Sequence, residues 1–137
     1  DNYTPRQRRL YRSFKVCMWI LSVASARLGP RRCYQWLSLI PARPGAPGLS
    51  ESELIELRNL AQDAARTGTA GAACLEISFL LFAFLRWQGE KPTVHIGVRK
   101  MSGKIHSHAW TVCNQRVVSE LGDPRLFYKV MPLLEAK

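Results

Sequence analysis

Apolar residues along this chain repeat with two different periods, and the change falls at Pro92. Before it they recur at helical spacing; after it they alternate. Residues 1–15 carry Arg6, Arg8, Arg9, Arg12 and Lys15, and the apolar stretch Phe14 to Ala26 follows. This pattern predicts a basic, amphipathic helix stopped near Gly29-Pro30. A second helix is predicted over about Arg31 to Leu39, presenting Tyr34, Trp36, Leu37 and Ile40. Three prolines and two glycines in the eight residues Pro41 to Gly48 forbid regular structure and mark a linker.

Ser50-Glu-Ser-Glu53 has the form of a capping box, a hydroxyl and a carboxylate three positions apart that satisfy each other's free amides. It opens a third helix with Leu54, Leu57, Ala61 and Ala64 on one face, closed by Gly68. The small-residue segment Thr67 to Ala73 reads as a turn. Cys74 to Gln88 follows, apolar nearly all round, so this helix is expected to form the buried centre, with Gly89 at its end.

From Pro92 the period is two. Val94, Ile96 and Val98 face one way and His95, Gly97 and Arg99 the other, which leaves His95 on a solvated face. Ser102-Gly103 turns the chain into a second strand, Ile105 to Cys113, and Asn114-Gln115 turns it into a third, Arg116 to Leu121. Helices followed by an antiparallel meander give an α+β order. Gly122 to Lys137, with Pro124 and Pro132, has no assignable pattern.

With 137 residues, 47% hydrophobic and 22% charged, the chain fits one domain with a core of its own. Its parts are the helices of residues 1–40, the linker 41–48 and the core 49–137. Twenty basic against ten acidic residues give a net charge of +10, which favours anionic partners. The first helix is thereby a candidate for peripheral contact with a membrane surface, while nucleic acid is the weaker reading. The apolar run Val16 to Ala26 is too short to span a bilayer. Beginning at Asp1 rather than Met, the sequence reads as trimmed at its start. Cys17, Cys33, Cys74 and Cys113 form no CxxC pair and no histidine stands at finger spacing, so neither a zinc site nor a disulfide-dense scaffold is indicated, and reduced thiols of a cytoplasmic protein are expected; the thiol chemistry considered below needs no metal or organic cofactor. Trp19, Trp36 and Trp87 are expected in the core, and Trp110 beside the histidine discussed next.

Cys74 carries the candidate chemistry. The start of a helix stabilises a thiolate through free N–H groups and the positive end of the macrodipole. Gly71, Ala72 and Ala73 are small enough to admit a substrate backbone, and the Cys74 amide is placed to bind an oxyanion. The bland alternative is a small buried hydrophobe. A nucleophilic thiol needs a base, and His108 is the candidate. It shares a strand face with His106, Trp110 and Val112, and meets the helix start if that face packs on the central helix. The carboxylate that fixes the imidazole is Asp123 if Asn114-Gln115 is a tight two-residue loop pairing Cys113 with Arg116. It is Glu120 if the loop holds one residue more, because a one-residue slip exchanges faces.

Cys74-Leu-Glu76 leading an apolar helix, then Ile96-Gly-Val-Arg99, then His108-Ala-Trp110 and an acid a dozen residues on, resembles the transglutaminase-like leader peptidases of lasso-peptide biosynthesis. The match spans about Leu57 to Glu120. The resemblance implies a transglutaminase-like, papain-like cysteine peptidase fold with residues 49–137 as its catalytic core. It also implies Cys74 as nucleophile, His108 as general acid/base and Glu120 as orienter, and so favours the longer loop. The partners it implies are a precursor leader peptide, a stand-alone leader-recognition protein and an ATP-dependent lasso cyclase. Glu120 stands where Asp is common in the family, and this keeps a catalytically inactive, partner-binding scaffold as the alternative.

Overall fold

The computed structural model describes residues 3–45, 49–66, 74–120, 123–126 and 128–131. Four helices come first: α1 (Pro5–Leu28), α2 (Pro30–Leu37), α3 (Glu51–Arg66) and α4 (Cys74–Trp87). Strands β1 (Thr93–Met101), β2 (Lys104–Cys113) and β3 (Arg116–Val117), a 3-10 turn (Pro124–Leu126) and β4 (Lys129–Met131) follow. The strands form one antiparallel sheet in the order β3-β2-β1-β4.

Local chemistry sets the helix ends. Thr4 and Gln7 cap α1 reciprocally, at 3.1 and 2.9 Å, with Pro5 in the first turn, where its missing N–H costs nothing. Gly29 adopts φ 85° and Pro30 starts α2, so the helical run breaks where the sequence indicates. The Ser50 box forms as expected: the Ser50 amide donates to Glu53 at 2.9 Å and the Glu53 amide to the Ser50 hydroxyl at 3.3 Å. The closing position assigned to Gly68 lies outside the described residues, as does the turn 67–73.

The larger of two apolar clusters joins all four helices and the sheet, and a smaller one gathers Leu85, Cys113 and Val118. Phe14, Met18 and Leu21 of α1, Leu57, Leu60, Ala61 and Ala64 of α3, and Phe79 to Phe82 of α4 pack with Cys33 and Val94. Burial of each large side chain here contributes about 1.5–3 kcal/mol. Five consecutive buried residues, Ser78 to Phe82, make α4 the central element.

Three tryptophans depart from expectation. Trp19, Trp36 and Trp87 are exposed, at 66, 68 and 44%, and are not core residues. On α1 the inward stripe is taken by Phe14, Met18 and Leu21 at helical spacing, which turns Trp19 outward.

The sheet also differs from the expected three-stranded meander. The third strand ends at Val117 rather than Leu121, and the patternless C-terminal segment supplies β4, paired with Ile96 to Val98. Asn114 and Gln115 make a tight turn, both with positive φ (53° and 66°), and Cys113 pairs with Arg116. The longer loop is therefore corrected.

Candidate active site

Each face of β1 and β2 packs against something different. Thr111 donates its hydroxyl to the Ser78 carbonyl of α4 at 2.8 Å, and Val94 joins the helical core, so the odd residues of β2 and the even residues of β1 face the helices. The packing expected from the sequence, with the His108 face against the central helix, is corrected. His106, His108, Trp110 and Val112 point to the outer face, because small Ala109 and Thr111 allow α4 to lie close on theirs.

On that outer face a cluster of rings surrounds His108. Its ring centroid lies 6.0 Å from Trp110 and 5.4 Å from Tyr128, and the Arg99 guanidinium sits 5.0 Å from the Tyr128 centroid. Gly97 is the cross-strand partner of His108. A Cβ on it would come within 2.7 Å of both Trp110 Cη2 and Tyr128 Cβ, so the absence of a side chain is what lets the two rings close over the strand. His95 is half-buried and stacks on Trp110 with centroids 6.2 Å apart, and its Nε2 lies 2.9 Å from Thr93 Oγ1. The solvated position expected for it is corrected: Trp110 covers that side.

Glu120 engages His108 Nε2 through Oε1. Both side chains are about three-quarters shielded from solvent, at 25 and 29% exposure, which strengthens a charge-assisted contact. The route by which Glu120 arrives was not foreseen. Val118 N–H still bonds the Thr111 carbonyl in register, at 2.9 Å, but the Thr111 N–H is taken at 3.0 Å by the Ser119 hydroxyl instead of a backbone carbonyl. The chain leaves the ladder there, held from α3 by Gln62 donating to the Ser119 carbonyl at 3.0 Å. A tight turn followed by this departure brings Glu120 to the histidine. Asp123 instead receives Arg125 Nε and Nη2 at 2.8 and 2.9 Å, and these bonds hold its carboxyl below the ordinary 3.8.

Cys74 is the first residue of α4, and its side chain lies outside the described residues, as do Gly71, Ala72 and Ala73. The other three thiols can be judged. Burial pushes Cys17, Cys33 and Cys113 up from the ordinary thiol value, and the Glu90 carboxylate adds to the rise at Cys113.

A family model described as the transglutaminase-like superfamily matches residues 17–132, more than four fifths of the chain. The chain belongs to this superfamily. It has no significant match among curated proteins or among solved structures. The transglutaminase-like superfamily includes cysteine peptidases, and the α+β order of helices before a small antiparallel sheet fits a transglutaminase-like domain. Within that domain, sequence reasoning missed Tyr128, Ser119 and Gln62. Gly97 did leave a signal, a glycine inside an alternating strand. Tyr128 left none, standing in a segment with no period. Among the described residues, no helix is long and apolar enough to cross a membrane.

Proposed function

We propose that this transglutaminase-like chain is a cysteine peptidase that removes the leader from a ribosomally made lasso-peptide precursor. Cys74 is its nucleophile, His108 its general acid/base and Glu120 the residue that orients the imidazole. The observation that carries the reading is the His108–Glu120 contact. With Glu120 accepting from Nε2–H, Nδ1 is the nitrogen left to exchange a proton with a thiol. The Cys74 thiolate attacks the scissile carbonyl, the imidazolium passes its proton from Nδ1 to the leaving amine, and the freed core peptide departs. Water, giving a proton back to Nδ1, then attacks the thioester; the leader leaves as a carboxylic acid and the thiol is restored. A stand-alone recognition protein delivers the leader and an ATP-dependent cyclase consumes the core.

The reading requires the Cys74 sulfur to reach His108 past the edge of β2, which β3 covers only at Val112 and Cys113. Alkylation by iodoacetamide tests this directly. In the parent, Cys74 is expected to react down to mildly acidic pH, and His108→Ala is expected to move the profile up toward an ordinary thiol. An unchanged profile would separate the two groups and end the proposal. Cleavage is then read by mass spectrometry with precursor and recognition protein present. Cys74→Ala is expected to abolish it, Glu120→Gln to slow it about tenfold or more, and Asp123→Asn to leave it near the parent rate. Absence of cleavage by the parent, with precursor still bound, would favour a binding scaffold that uses the +10 charge on an acidic leader.

A further inference from the structure

We infer that the outward face of α1 binds the surface of an anionic lipid bilayer. Arg9, Arg12, Val16, Trp19, Ile20, Val23 and Arg27 recur at spacings of three and four and all are exposed, so they form one stripe opposite the buried Phe14, Met18 and Leu21. The stripe is about 27 Å long. Its middle is apolar and its ends are arginines. None of these three arginines makes an ion pair among the described residues. The apolar surface continues from Ile20 into a cleft of about 520 Å³ between α1, α2 and α4, which Leu37, Ile40 and Trp87 also line.

Charge selects the occupant. Residues 2–50 contain nine Lys and Arg and no Asp or Glu, so nearly all of the chain's excess charge sits in and around the first two helices. A membrane rich in anionic headgroups meets both requirements at once: arginines find phosphates, and Trp19 with its aliphatic neighbours enters the boundary of the acyl region. An acidic protein would match the charge. A convex ridge with tryptophan in the middle and guanidinium groups at each end suits a planar interface better than a partner's groove. This surface is independent of the His108 site, and its test does not depend on cleavage.

Full-chain protein is sedimented with phosphatidylcholine vesicles containing phosphatidylglycerol and with vesicles of phosphatidylcholine alone. Binding to the first and not the second is expected, weakening with salt. The double variant Trp19→Ser/Ile20→Ser is expected to bind about tenfold more weakly, and Arg9→Ala/Arg12→Ala/Arg27→Ala about a hundredfold more weakly. All five positions are exposed, and an unchanged far-ultraviolet circular dichroism spectrum verifies folding. Cys74→Ala is expected to sediment like the parent. No sedimentation with the anionic vesicles overturns the inference, as does equal binding to both vesicle types, indifference to either set of substitutions, or capture of an acidic amphipathic peptide through these residues without vesicle binding.

Discussion

The two faces of the β1–β2 hairpin share a backbone and have opposite characters. The inner face, with Val94, Ala109, Thr111 and Cys113, is small, aliphatic and closed, and the Thr111 hydroxyl bonds it to the Ser78 carbonyl of α4. The outer face gathers His95, His108, Trp110 and Arg99, with Tyr128 and Glu120 brought from the C-terminal part of the chain. The difference shows how a period of two divides labour: one set of alternate residues ties the hairpin to the helical core, and the other is left to hold ionisable groups among rings. Substitutions on one face are therefore expected to change stability, and on the other, activity.

The largest effect is expected from His108→Ala. Cleavage of the precursor should fall about a thousandfold or more while the melting temperature changes little. Retained cleavage would break the division outright. Gly97→Val tests where the outer face is structural: the added carbons meet Trp110 and Tyr128, and a loss of about 3 kcal/mol in urea denaturation is expected. Thr111→Val tests the inner face, where a loss of about 1 kcal/mol with kcat/KM unchanged is expected, because the Ser78 carbonyl, which keeps its place in the α4 ladder, loses the hydroxyl it also accepts from.

The smallest effect lies on neither face and sharpens the comparison as a control. The Ser50 amide and hydroxyl hold the Glu53 carboxyl below its ordinary 4.5. A carboxyl lowered on folding stabilises the native state above the unfolded value, and the contribution is lost as pH falls through the folded value. Ser50→Ala should thus melt slightly earlier than the parent at neutral pH, and the gap should narrow on acidification below 4.5. A gap that widens in acid would contradict the cap.

Sequence periodicity was enough to read α1 to α4 and the first hairpin, because each carries at least two full repeats of its period. The failures have particular causes. Trp19, Trp36 and Trp87 are large and apolar, yet helical position, not size, decides which residues face inward, and Phe14, Met18 and Leu21 hold those positions on α1. β4 has three residues, too few for alternation to be detected. The acid is the most instructive case. Register arithmetic paired Glu120 with a longer loop and Asp123 with a tight one; the turn is tight, and Glu120 still reaches His108. The Ser119 hydroxyl displaces a ladder bond, and a substitution of side chain for backbone as acceptor leaves no trace in any hydrophobic pattern.

The segment that reads as a linker is fastened within its first half, and again just after it, to the finish of α4 and the residues that follow. The Arg43 amide donates to the Trp87 carbonyl at 2.8 Å and its guanidinium to Gln88, Arg86 donates to the Ile40 carbonyl at 3.1 Å, and the Leu49 amide meets Glu90 at 3.0 Å. A tether allows two bodies to drift apart; a strap buckled at each side does not. A protease that severs the peptide chain between Arg43 and Leu49 should accordingly yield two fragments on a denaturing gel that travel as one particle through a sizing column.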